Sequence, residues 1–242
     1  MEHMVKLIDG LRLQAERLNN ELTVDFSITT DRMPIAGLNM AYCKLVQVLE
    51  LISFYKDAFP RVARGKFEDH LQDHSENSQR IIDLYNSCFV SIMSVFEHCA
   101  KKAVKSTPEI YGKTSSTLYL REIVQRSRKL GWITKVDEDA WLLLIELRNI
   151  IVHNNGEANY TSSKVLPNGV VWNLVEGLQT QVTLRHVPLS IEWALRAYHR
   201  WCKSYMSEWV NGFDYKPRWV TPKIQRVVCV SGKQLPCWGG VY

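Results

Sequence analysis

Residues 141–156 read WLLLIELRNIIVHNNG, and how this run is read decides the fold. From Trp141 to Val152 it is apolar except for Glu146, Arg148 and Asn149; His153 and the turn-forming Asn154-Asn155-Gly156 follow. A helix that is apolar on nearly every side belongs inside a protein. Polar groups placed there cost roughly 1–3 kcal/mol each unless they are paired. Glu146, Arg148, Asn149 and His153 therefore mark the first candidate site. Asparagine and glycine tolerate the left-handed backbone that closes a helix, so the helix is expected to stop after His153.

At 100° per residue, Glu146, Asn149 and His153 fall within about 60° of one another and form one polar stripe. Arg148 starts about 140° around from His153, with a side chain long enough to curl back past the helix end. The helix macrodipole favours a cation in the last turn, where His153 is expected. A histidine beside a fixed cation suits acid–base work on a phosphate.

The run Arg148-Asn149-Ile150-Ile151-Val152-His153 resembles the R-x4–6-H motif of the HEPN superfamily, including the polar residue that commonly follows the arginine. The resemblance implies an all-α, HEPN-like helical bundle that is usually a homodimer, with two motif helices facing one another across a shared cleft. Many members of that superfamily are metal-independent endoribonucleases of toxin–antitoxin, phage-defence and RNA-processing systems. Others are non-catalytic binding or scaffold domains. For a nuclease, the implied reaction is attack of a ribose 2′-hydroxyl on the adjacent phosphorus, leaving a 2′,3′-cyclic phosphate and a 5′-hydroxyl. His153 is then the general acid or base. Arg148 stabilises charge on the phosphoryl oxygens, a task its planar fork suits better than lysine. Asn149 orients the histidine or holds a phosphate oxygen, with Glu146, Glu97 and Asn154 in support. No cofactor and no metal are implied. The implied partners are RNA, a second copy of the chain, and an antitoxin or other defence-system protein.

Composition sets wider bounds. The chain has 242 residues, 46% hydrophobic and 23% charged, as in ordinary globular domains. No run is long and apolar enough for a transmembrane helix, and MEHMVKLIDG lacks a signal-peptide pattern, so a cytoplasmic protein with no membrane partner is expected. Six cysteines are scattered with no C-x-x-C pair, which argues against a zinc cluster and for reduced thiols. The net charge of +5 is unevenly placed. Between Gly212 and Tyr242, Lys216, Arg218, Lys223, Arg226 and Lys233 face a single acid, Asp214. Two readings of this basic aromatic arm stand open. Arg218, Trp219, Lys223 and Arg226 contact RNA phosphates and bases, or the aromatics pack on the body and the charges are solvated.

Taken in order, Met4–Leu22 and Asp31–Ala58 carry helical apolar spacing, the second with Pro34 in its first turn. The polar run Phe67–Ser78 places His70 and His74 four apart among acids; a solvated helical face explains it better than a metal site. Arg80–Lys105 is a second strong helix with Glu97 late on it, which orients Arg148 or His153 or is a surface acid. Ser106–Thr114 reads as a loop, and Ser116–Leu130 as a basic amphipathic helix (Arg121, Arg126, Arg128, Lys129) whose charges are a solvated face or lie beside an RNA path. Asp137 is a candidate cap for the motif helix. Glu157–Gly169 is loop-like, and the segments 169–177 and 180–187 read as a β-hairpin turning at Gly177. A last helix spans roughly Leu189–Val210. The expected organisation is a helical domain over residues 1–211, with a hairpin insertion at about 169–187, and an arm from 212 to 242.

Phosphate-loop, dinucleotide-fold, nucleophile-elbow and H-E-x-x-H signatures are all missing from the sequence. Three readings of the motif remain. It is a nuclease centre, a non-catalytic dimerisation or RNA-binding module held by a buried polar network, or a helix whose His153 merely satisfies local backbone.

Overall fold

The computed structural model describes residues 2–58, 71–153, 156–180 and 185–212. The elements in order are α1 (Glu2–Asp25), α2 (Ala36–Ala58), α3 (Leu71–Ser106), α4 (Pro108–Tyr111), α5 (Leu120–Lys129), α6 (Lys135–His153), β1 (Ser162–Val165), β2 (Val171–Leu174) and α7 (His186–Gly212). The architecture is all-α with one small antiparallel hairpin. No helix among the described residues is long and apolar enough to cross a membrane.

The three- and four-residue spacing of apolar side chains builds the core directly. Ile8, Leu11, Ala15, Leu18 and Leu22 bury one face of α1, and Leu38, Ala41, Leu45, Val48 and Ile52 one face of α2. These stripes close against α3 and α7 through Tyr85, Phe89, Ile92, Phe96, Ile191 and Tyr198. Tyr198 is the hinge-pin of the packing. Its ring stacks on Phe96 at 4.1 Å, and its hydroxyl donates to the Pro34 carbonyl at 2.9 Å. A Cβ on Gly37 would lie 2.6 Å from that hydroxyl, so glycine lets α2 approach α7. Two buried indoles find hydrogen-bond partners: Trp201 donates to Ser127 Oγ at 2.9 Å and Trp172 to Ser190 Oγ at 3.1 Å.

Several sequence expectations shift. α2 begins at Ala36, not Asp31, because residues 29–35 are taken up by turn bonds such as Thr29 carbonyl to Arg32 N–H. The expected loop 106–114 contains the single helical turn α4, with Pro108 in its first turn, where a missing N–H costs nothing. α5 starts at Leu120 rather than Ser116. Asp137 is not the cap of α6. Thr134 is: its Oγ1 accepts from the Asp137 N–H at 3.0 Å, while the Asp137 carboxylate reaches back to the Thr134 hydroxyl and N–H at 2.7 and 3.3 Å. This is a reciprocal capping box with aspartate in the third position.

The hairpin is also displaced. β2 is the expected strand, but its partner is Ser162–Val165, within the segment read as a loop, in the register Ser162↔Leu174 to Val165↔Val171. The turn lies at Leu166–Val170, with Gly169 at φ 86° and Leu166 donating to the Val170 carbonyl at 2.8 Å. Gly177 does make a turn, at φ 71°, but its N–H bonds to the Ala158 carbonyl. Residues 181–184 of the expected second strand lie outside the described residues. Trp172 and Leu174 are buried under the hairpin, which is further tied to α7 by Asn168 Nδ2 to the Leu189 carbonyl at 2.8 Å.

Candidate functional site

α6 is set by its two ends. At the start, the Thr134–Asp137 box is joined by Arg200 of α7, whose guanidinium meets the Asp137 carboxylate at 2.5 Å. Burial pushes the Asp137 carboxyl up, but the hydrogen bonds from Thr134 and Arg200 outweigh it and hold its pKa below the usual aspartate value. At the other end the helix stops at His153, and Gly156, at φ 86°, donates its N–H to the Ile150 carbonyl at 3.0 Å.

Between the ends, α6 buries Trp141, Leu143, Leu144, Leu147 and Ile150. The expectation of a helix enclosed on every side is corrected here. Glu146 and Arg148 are half-buried, and Asn149, Val152 and His153 are exposed. The run looked apolar all round because Ile145, Ile151 and Val152 sit on faces that the described residues leave partly or wholly open. The polar stripe is therefore at the surface, with Asn149 and His153 exposed and Glu146 half-buried.

The members of the stripe differ in what they touch. Glu146 is engaged with the hairpin: the Tyr160 hydroxyl donates to Oε1, and Lys164 Nζ lies 2.7 Å from Oε2. Arg148 forms no ion pair among the described residues. Its Nη1 donates to Asn149 Oδ1 at 3.1 Å, and its Nε is shielded from solvent with no hydrogen-bond partner. His153 makes no side-chain hydrogen bond or ion pair among the described residues. Glu97 is held by Lys101 at 2.6 Å and does not form an ion pair with Arg148 or His153. Asn154 and the arm residues Arg218, Trp219, Lys223 and Arg226 lie outside the described residues, as do His70 and the side chain of His74.

A cavity of about 290 Å³ opens where α3, α5 and α6 meet. Its apolar lining is Met93, Leu120 and Ile145, with the Tyr119 ring beside them. Glu97, Arg148 and Asn149 share this cavity with Arg121 and Glu122; Glu146 and His153 do not line it. Lys101 orders one edge, since its Nζ pairs with Glu97 and lies 5.2 Å from the Tyr119 ring centroid. Three of the expected residues are thus brought together, and the histidine stands one helical turn beyond them.

Sequence reading missed Tyr160 and Lys164, because both fell in a segment taken as loop. The overlooked signal is Asn168-Gly169 between apolar residues, a strong hairpin turn. It missed Tyr119, and took Arg121 only as one of several charges on a basic helix, because the cavity is assembled from three segments far apart in the chain, which no local spacing reveals.

Fold and site together define an α-helical protein with a partly unengaged polar cluster at the end of its sixth helix. Compared with known proteins, the chain matches no family model, no curated protein and no solved structure.

Proposed function

We propose that this chain is a metal-independent endoribonuclease of HEPN type, acting as a homodimer in a toxin–antitoxin or phage-defence setting. The observation that supports it is the state of Arg148 and His153. Neither has an ionic partner among the described residues; Arg148 lines a cavity, and His153 stands one helical turn beyond it. A guanidinium that served only structure is normally paired when half-buried, because an unpaired one forfeits solvation without return. Here its free donors suit phosphoryl oxygens, and bidentate recognition is what arginine does best.

In this reading, the exposed His153 moves the proton between the ribose 2′-hydroxyl and solvent or the leaving oxygen. Arg148 balances charge developing on the phosphorane, and Asn149 fixes the guanidinium through the Oδ1 contact. Glu146 holds the hairpin against the motif helix. A second copy facing the exposed stripe brings two such ends to one cleft. RNA incubated with the purified chain in EDTA should yield 2′,3′-cyclic phosphate ends, and 2′-deoxy substitution at the cut nucleotide should block cleavage. Products with 3′-hydroxyl ends would exclude this mechanism.

One observation favours a second reading, a non-catalytic HEPN dimerisation or RNA-binding module. The Glu146–Tyr160–Lys164 network serves packing, and His153 does not line the cavity that holds Arg148. In that case RNA binds without being cut.

A further inference from the structure

The cavity between α3, α5 and α6 has a composition that a bare phosphate site does not need. Its charges are matched, two acids (Glu97, Glu122) and two arginines (Arg121, Arg148), so it does not offer the excess positive charge that simple anion capture requires. It has an apolar floor in Met93, Leu120 and Ile145. At its edge is an aromatic ring, Tyr119, which is 58% exposed and therefore open to a stacking partner, with Lys101 Nζ 5.2 Å from its centroid. At about 290 Å³ it lies near the lower end of small-ligand sites, roughly 300–1,000 Å³, with room for one ring system and not for an extended chain.

A flat, uncharged ring with donors and acceptors around its edge fits that description. Its π-face meets Tyr119, and its edge meets carboxylates that accept and guanidinium or amide groups that donate. Among the described residues the Asn149 amide nitrogen has no hydrogen-bond partner, and only Oδ1 is engaged, by Arg148. We infer that this cavity is a subsite for one nucleobase of single-stranded RNA, stacked on Tyr119, with Arg148 in the same cavity holding the phosphate attached to it. The inference rests on the RNA-directed reading above and deepens it by locating where a base is held. It does not depend on cleavage.

The test is fluorescence anisotropy with a labelled single-stranded RNA heptamer of mixed sequence, in EDTA, using the full chain with His153→Ala so that the probe survives. Adding Tyr119→Ala should weaken binding about tenfold or more, the usual consequence of losing one stacked base. Tyr119→Phe keeps the ring and should keep the affinity. Ile145→Trp, which fills the cavity from its floor, should weaken binding comparably to Tyr119→Ala. An abasic nucleotide scanned along the heptamer should reproduce the loss at one position, and at that position only Tyr119→Ala should cause no further loss. Unchanged affinity for Tyr119→Ala and Ile145→Trp, with circular dichroism showing both folded, overturns the subsite. So does failure of the parent to bind the heptamer. The two readings fail separately. Tyr119-dependent binding by a chain that never cuts RNA removes the nuclease and leaves the subsite. Cleavage by the wild type with an unchanged KM for Tyr119→Ala does the reverse.

Discussion

The two ends of α6 make opposite use of polar side chains. At the N-terminal end, Thr134, Asp137 and Arg200 satisfy one another and the first turn of the helix, and Asp137 is almost enclosed, its side chain 13% exposed. At the C-terminal end, Arg148, Asn149 and His153 are open or half-open, and among the described residues one intrahelical hydrogen bond is all their side-chain bonding. The same helix therefore carries a structural polar cluster and an unengaged one. Stability should depend on the first and ligand chemistry on the second.

On stability, the largest effect expected at these sites is at Asp137. Asp137→Ala removes the capping box and the Arg200 pair, and should cost about 2 kcal/mol, given cap losses of up to about 2 kcal/mol and a half-exposed guanidinium. Thermal unfolding should fall by about 4–8 °C for a chain of this size. A loss below about 0.5 kcal/mol would mean the box contributes little.

Acid should sharpen the same contrast. Because the folded-state pKa of Asp137 is depressed, its stabilisation is complete above the unfolded value, near 3.8, and disappears as pH falls through the folded value. Urea melts from about pH 5 to about pH 2 should therefore show the gap between wild type and Asp137→Asn closing as pH falls. A gap that widens towards acid would reverse the sign argued here.

The hairpin latch comes next. Glu146 and Lys164 are 21% and 43% exposed, so Lys164→Ala should cost less than about 1 kcal/mol. Hydrogen exchange at the β1 and β2 amides should nevertheless accelerate, because the latch joins them to α6. Smallest of all should be Arg148→Ala and His153→Ala, each within about 0.5 kcal/mol of wild type, since His153 is exposed and Arg148 makes one neighbouring hydrogen bond and no ion pair among the described residues.

How much of this was legible in the sequence follows from where the information lies. The core was, since the buried positions of α1 and α2 recur at three and four residues and need no distant knowledge. The stop of α6 was also legible, because Gly156 adopts the positive φ expected of the Asn-Asn-Gly turn. The capping aspartate was misplaced by one role: a threonine three residues before an aspartate carries the signal of either cap, and only the Thr134 hydroxyl bonded to the Asp137 N–H separates them. Ser162–Val165 is too short and polar to announce a strand, so β1 emerged only through its pairing with β2. Exposure of the motif was hidden for a different reason. Ile145 and Val152 give the run an enclosed look, yet no other element among the described residues covers them fully.

The most direct test of the division within α6 pairs two readouts on three variants. Asp137→Ala, Arg148→Ala and His153→Ala are measured by thermal melt and by RNA cleavage in EDTA beside the wild type. The expected result is crossed: Asp137→Ala melts lower and still cleaves at a temperature where it is folded. Arg148→Ala and His153→Ala melt like wild type and lose cleavage, by about 10²–10⁴-fold for the histidine. Equal cleavage by all four proteins, or loss of folding in the Arg148 and His153 variants, would contradict the account.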